Sequence, residues 1–175
     1  MKEPALSRAL AAACVVLAVL LPLATAIALW LLPMPAWPAR FGIAGFGGPT
    51  AQLEPWQVDV AWLAGMLPVS CAACGLWHAR RCFQSFARGD YFNETAVGSL
   101  RGLSIGMLAA AVAGLVAPSL VSVALSWNLG PGHRSLAVGF GSNDLLLLLF
   151  AAVVWQIAAV MRRAVAIARE NEAFV

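Results

Sequence analysis

Four stretches of this chain are long, apolar and almost free of charge, and no other feature limits its folding more. The first, Ala9 to Leu32, holds 24 residues without an Asp, Glu, Lys or Arg. As a helix it rises about 36 Å, enough to cross a hydrocarbon layer of about 30 Å with some tilt. The second runs from about Val58 to Trp77, with Asp59 and Trp62 at its start. The third, Gly102 to about Trp127, is uncharged throughout, and the fourth runs from near Asp144 through a leucine run, Leu145 to Leu149, to Met161. Pro22, Pro68 and Pro118 fall inside the first three stretches, where each removes a backbone hydrogen bond and bends its helix.

Composition agrees with this blocked pattern. Hydrophobic residues make up 62% of the 175 and charged residues 11%, about half the charged share of a soluble domain. So few polar side chains cannot cover a water-facing surface. The reading is therefore an all-α, integral membrane four-helix transmembrane bundle, one domain over residues 1–175. Its helices are placed at about 9–32, 58–79, 98–127 and 144–168, its outer loops at 33–57 and 128–143, and its cytoplasmic connector at 80–97. A cleaved signal peptide is the competing reading of the start, since Ala24-Thr25-Ala26 resembles a cleavage site. The apolar run continues past that point, however, and signal h-regions span only about 7–15 residues.

Between the spans the chain changes character. Residues 33–57 contain Pro33, Pro35, Pro38, Gly42, Gly45, Gly47, Gly48 and Pro49, which precludes a regular helix. Phe41, Phe46 and Trp56 there, with Trp30 and Trp37 nearby, suit the membrane–water interface. A ligand-binding loop is the alternative. Residues 128–143 form a second glycine-rich connector, with Gly130, Pro131, Gly132, Gly139 and Gly141.

Charge orients the bundle. Four spans leave Lys2, Arg8, Arg80, Arg81, Arg88, Arg101, Arg162, Arg163 and Arg169 on one side and Arg40 and Arg134 on the other. Nine cations against two in short loops place both termini and the 80–97 connector in the cytoplasm. The net charge of +3 is absorbed by this arrangement, and direct nucleic-acid binding is not expected.

Within the connector, residues 80–87 extend the second helix, and Gly89 can end it in the left-handed conformation. Asp90-Tyr91-Phe92 turns the chain, Asn93 is an N-cap candidate, and Glu94 suits the first turn of the next helix. Arg80, Arg81, Arg88, Phe92, Asn93 and Arg101, with Glu170 and Glu172 of the tail, are the candidate surface for a cytoplasmic partner. The bland reading is a helical hairpin with snorkelling arginines.

Two stripes remain. Gly98, Gly102, Gly106, Ala110 and Gly114 recur every fourth residue, leaving a groove where another helix backbone can approach. The groove serves packing inside the bundle or a homodimer face, and Ser104 and Ser122 are expected to add interhelical polar contacts. Cys71, Cys74, His78 and Cys82 line one face of the second helix. Cys71 and Cys82 are about 16 Å apart along it, too far to share one tetrahedral metal ion. The two histidines, His78 and His133, fall on opposite sides, which excludes bis-histidine haem. No cofactor is expected. Read span by span, no ionisable residue lies in the middle of a helix, so neither proton-coupled transport nor catalysis at membrane depth is expected.

The segments FARGDYFNETAVGSLRGLSIG and RRAVAIARENEAFV resemble a bacterial four-helix membrane family known as a domain of unknown function. In that family an aromatic residue follows a glycine-containing turn, and a polar residue then opens the third helix ahead of arginine and glycine. Phe92, Asn93, Arg101, Gly102 and Gly106 match that layout, and Glu170-Asn171-Glu172 matches its acidic tail. Many such proteins are encoded beside a small helix-turn-helix regulator. The resemblance thus implies a non-enzymatic inner-membrane protein that senses or regulates through a cytoplasmic regulator protein. A small transporter or channel subunit is the alternative.

Overall fold

A computed structural model describes residues 3–33, 36–41, 54–89, 93–127, 136 and 142–172, without the side chains of 3–4, 38, 40, 142–143 and 168–172. The chain is all-helical among these residues: α1 (Glu3–Leu31), α2 (Trp37–Arg40), α3 (Pro55–Ala87), α4 (Glu94–Ser126) and α5 (Ser142–Glu172). Four segments are long and apolar enough to cross a membrane: Ala5–Leu31, Pro55–Ala87, Glu94–Ser126 and Asp144–Ile167. Phe46 and the glycines of the first loop, the Asp90-Tyr91-Phe92 turn, and Gly130, His133 and Arg134 of the second lie outside the described residues.

The helices run past the bounds read from apolarity, because capping rather than hydropathy sets their ends. The second starts at Pro55, not Val58: Pro55 needs no N–H donor partner at the first helical position, and the Glu54 N–H donates to Gln57 Oε1 at 2.8 Å. It continues through residues 80–87, and Gly89 follows the C-cap Arg88 with φ +86°, a region that costs any L side chain about 1–2 kcal/mol. The third starts at Glu94, not residue 98, because Asn93 Oδ1 accepts from the Thr95 N–H at 3.1 Å.

Specific contacts give the register. Gln57 near the start of α3 donates to the Ala124 carbonyl near the end of α4, and Gly75 meets Gly106. The α3 and α4 helices are therefore antiparallel. Arg101 stacks on Trp155 and Gly114 faces Asp144, so α5 is antiparallel to α4. The α1 helix packs along α3 with Leu29 against Gly65 near the start of α3, again antiparallel.

Burial is inverted relative to a water-soluble bundle. The interior is built from small residues: Ala61, Ala64, Ala79, Ala110, Ala111, Ala117, Ala124, Ala151, Ala158 and buried serines. Leu17, Leu20, Leu63, Leu67, Leu108, Val116, Leu146, Leu149 and Val160 point outward on all four long helices. Small side chains let helix backbones approach where lipid, not water, surrounds them, and continuous outward apolar surface of this kind is not stable in water.

One expectation is corrected here. Trp37 is not an interfacial anchor. It is 4% exposed and packs with Ala61, Ala64, Ala117, Val121 and Leu125, its Nε1 donating to the Leu32 carbonyl at 3.2 Å. The α2 turn folds back over the mouth of the bundle, because alanines on α3 and α4 leave room for an indole. Ser104 and Ser122, moreover, bond within α4: each hydroxyl donates to the carbonyl three residues back, on Arg101 and Ser119, at 2.9 Å. A helical serine reaches its own turn more easily than a neighbouring helix.

Candidate functional site

The antiparallel register gathers the arginines at one end. Arg8 on the first two turns of α1, Arg80, Arg81 and Arg88 at the end of α3, Arg101 on α4 and Arg162 and Arg163 on α5 share it. All but Arg80 are exposed, and Arg80 is half-buried with its guanidinium 4.8 Å from the Trp77 ring centroid. Arg88 Nη2 donates to Ser85 Oγ at 3.4 Å, and the Arg101 guanidinium lies 4.9 Å from the Trp155 centroid. Two tryptophans thus carry arginines at this end. Trp56 and Trp127 meet edge to face at the other, with centroids 6.4 Å apart.

Between α4 and α5 at the arginine end is a cleft of about 560 Å³ lined by Glu94, Val97, Gly98, Arg101, Arg162, Val165 and Ala166. Its floor is Val97 and Val165, both buried, and charged groups stand on its rim. Of the candidate docking residues, Arg101 lines this cleft, and Arg80, Arg81, Arg88 and Asn93 lie at the same end outside it. Phe92 and the side chains of Glu170 and Glu172 lie outside the described residues.

The glycine stripe is divided among three environments. A Cβ on Gly106 would come within 2.5 Å of Gly75 Cα and 3.1 Å of the Cys71 carbonyl oxygen, and one on Gly102 would meet the His78 ring at 2.5 Å. These two face α3 of the same chain. Ala110 is buried, and a Cβ on Gly114 would come within 3.2 Å of Asp144 Oδ1 on α5. Gly98 is open, with nothing within 4 Å of an added Cβ. The stripe does not form one continuous contact, because positions four apart drift around the helix axis by about 40° per step.

The Cys71, Cys74, His78 and Cys82 face is likewise split. His78 sits against Gly102, Cys82 is buried and Cys74 is exposed. No set of three or more His, Cys, Asp or Glu converges among the described residues.

A second cleft, of about 360 Å³, lies inside the bundle and was not visible in the sequence. Leu21, Thr25 and Leu29 of α1, Gly65, Pro68, Val69 and Ala72 of α3, and Ala110, Gly114, Ala117 and Pro118 of α4 line it. Phe41 and, from α5, Asp144 and Leu147 complete it. Thr25 Oγ1 donates to the Leu21 carbonyl at 2.9 Å, so the wall there is nearly apolar. Asp144 is half-buried, in the first turn of α5, where the helix dipole favours a carboxylate.

Asp144 stands at the start of its span, yet its depth against α4 is not legible from that span alone. Its partner Gly114 is thirteen residues from Arg101 and eight from Ser122, or about 20 and 12 Å along α4. Ser122 is itself level with Asp59, given that Gln57 meets Ala124. The first turn of α5 therefore lies well below the end of α4. A reading span by span puts every helix start at the same height, and only packing reveals the offset.

The chain belongs to the family described as protein of unknown function DUF2975, which it matches over residues 8–175. The likeness thus extends well beyond the connector and tail. No curated protein and no solved structure matches the chain.

Proposed function

We propose that this DUF2975 member is a non-enzymatic protein of the bacterial inner membrane that crosses it four times, with both termini in the cytoplasm. In this reading it senses or regulates by holding a cytoplasmic partner at its arginine end. The observation that carries the proposal is the charge asymmetry. Among the described residues, Arg8, Arg80, Arg81, Arg88, Arg101, Arg162 and Arg163 fall at one end of an antiparallel bundle, and cations in short loops stay on the cytoplasmic side. The outward Leu and Val side chains and the tryptophans near each end support the membrane placement. At the arginine end, exposed Arg81, Arg88 and Arg163 and the cleft beside Arg101 and Arg162 offer a partner both charge and an apolar seat.

Two measurements test this. A reporter fused after Gly89 is expected to be active only in the cytoplasm; activity only outside the cell overturns the orientation. Affinity capture with Arg81, Arg88 and Arg163 changed to alanine is expected to lose a cytoplasmic protein that the unmodified chain retains. Identical capture by both refutes the docking role. The cleft around Asp144 favours a second reading, passage of a solute through the bundle. Flux into proteoliposomes that is blocked by Gly114→Leu supports it, and absence of flux for every solute tried favours the first.

A further inference from the structure

The cleft between α4 and α5 joins two guanidinium groups to an apolar floor, and a phospholipid matches both. We infer that it seats a net-anionic phospholipid of the phosphatidylglycerol kind. Its phosphodiester is held between Arg101 and Arg162, and its acyl chains run on along α4 toward the bilayer centre. This rests on the bundle lying in a bilayer, as proposed above, but not on a cytoplasmic partner, to which it leaves Arg81, Arg88 and Arg163 outside the cleft.

Depth selects a lipid. Trp127, edge to face with Trp56, stands 26 residues from Arg101, or about 39 Å along α4. A bilayer measures about 30 Å across its hydrocarbon and about 40–45 Å with its headgroups. With the tryptophan pair at one interface, Arg101 therefore falls in the headgroup layer of the other. Counted from the contact of Gly114 with Asp144, Arg101 lies thirteen residues along α4 and Arg162 eighteen along α5. Arg162 thus stands about 7–8 Å further from the bilayer centre. Two side chains of that length, lining one cleft from adjacent levels, can converge on a single phosphate.

The chemistry agrees with the depth. The Arg101 guanidinium lies over the Trp155 ring, 4.9 Å from its centroid. Stacking occupies the face of a guanidinium and leaves its N–H donors, which lie in its plane, for a phosphate. Both arginines are exposed. Glu94, at the far end of the lining, has a partner of its own and is not needed as a ligand. Val97 and Val165 form a buried floor, and with Gly98 and Ala166 beside them a volume of about 560 Å³ stays open. Ile105 and Leu108 follow Arg101 at helical spacing on the same face of α4, each about half exposed, and offer aliphatic surface to acyl chains. A free phosphate has no use for that surface. Basic recesses between membrane helices on the cytoplasmic side are seats for anionic headgroups.

The test is native mass spectrometry of the purified full-length protein in micelles, titrated with phosphatidylglycerol and phosphatidylcholine of identical acyl chains. It needs neither orientation nor a partner, so a failure here beside a cytoplasmic reporter signal at Gly89 sinks the lipid site alone. One phosphatidylglycerol retained per chain is expected, at least about tenfold tighter than phosphatidylcholine. Arg101→Gln combined with Arg162→Gln is expected to bring the two lipids level, whereas Arg81→Gln with Arg88→Gln leaves the preference unchanged. Gly98→Leu keeps both arginines and fills the open floor, where nothing lies within 4 Å of an added Cβ; it is expected to weaken phosphatidylglycerol by about tenfold. Equal affinity for the two lipids, unchanged binding in the double arginine variant or in Gly98→Leu, or displacement by equimolar glycerol phosphate each overturns the assignment. Loss of a captured cytoplasmic protein from the double variant, with lipid retention intact, gives the cleft to a protein instead and overturns it too.

Discussion

Alanine substitution along the glycine stripe of α4 should give effects of opposite sign, although the sequence makes its members look equivalent. In a helix interior, glycine to alanine is worth about 1 kcal/mol in favour of folding. At Gly98 nothing lies within 4 Å of the added methyl, so Gly98→Ala should keep that gain. At Gly106 the methyl would be 2.5 Å from Gly75 Cα and 2.7 Å from Gly75 N, both backbone atoms that no rotamer change can move. Reaching ordinary contact at 3.4 Å requires the two helices to separate by about 0.9 Å, and a gap of that size forfeits a quarter to a half of each contact's attraction. Overpacking of this kind costs about 1–3 kcal/mol or more, and α3–α4 is the most extensive helix pair in the bundle. Because both clashing atoms are backbone, the cost falls toward the upper end of that range, and less the gain of about 1 kcal/mol the net for Gly106→Ala should be a loss of about 2 kcal/mol. Gly75→Ala should cost less, since its nearest neighbour is the Leu103 carbonyl oxygen at 3.2 Å. Gly102→Ala meets the His78 side chain, which can swing aside. The assay is unfolding in mixed micelles titrated with SDS, followed by far-UV circular dichroism. A neutral Gly106→Ala, or a Gly98→Ala as damaging as it, would refute the packing argument.

Three further outcomes follow from single contacts. Gln57 is fully buried and bonds both Glu54 N and the Ala124 carbonyl; Gln57→Leu should cost about 1–3 kcal/mol by leaving a buried group unpaired, read in the same titration. Trp37→Ala should cost about 3–5 kcal/mol, lowering the thermal midpoint in detergent, whereas Trp30→Ala, 85% exposed, should leave it nearly unchanged. Asn93→Ala should cost about 1 kcal/mol by removing the cap of α4, and the serine variant should restore it, as measured by hydrogen exchange at residues 94–97.

Much of this molecule is legible from local sequence. Charge-free length alone marks the four membrane-scale helices, because a helix satisfies its own backbone and its span is a matter of counting. The connector reads equally well: Gly89 after the last helical arginine and Asn93 before Glu94 act through bonds within a few residues, and both are found as stop and start. The capping pair of Glu54 and Gln57 with Pro55 was there to be read as well. Apolarity drew the boundary three residues late because Gln57 looks like a loop residue until its bonds are seen.

What tertiary structure alone decided are questions of relative position. Which glycines meet a backbone, that Trp37 turns inward while Trp30 stays out, and that Asp144 lies opposite the middle of α4 depend on how helices slide past one another. That sliding is fixed by where small residues let them touch, at Gly75 on Gly106 above all. Apolar length is a property of one helix, whereas depth is a property of a helix measured against its neighbours, so the carboxylate inside the bundle could emerge only from the packing.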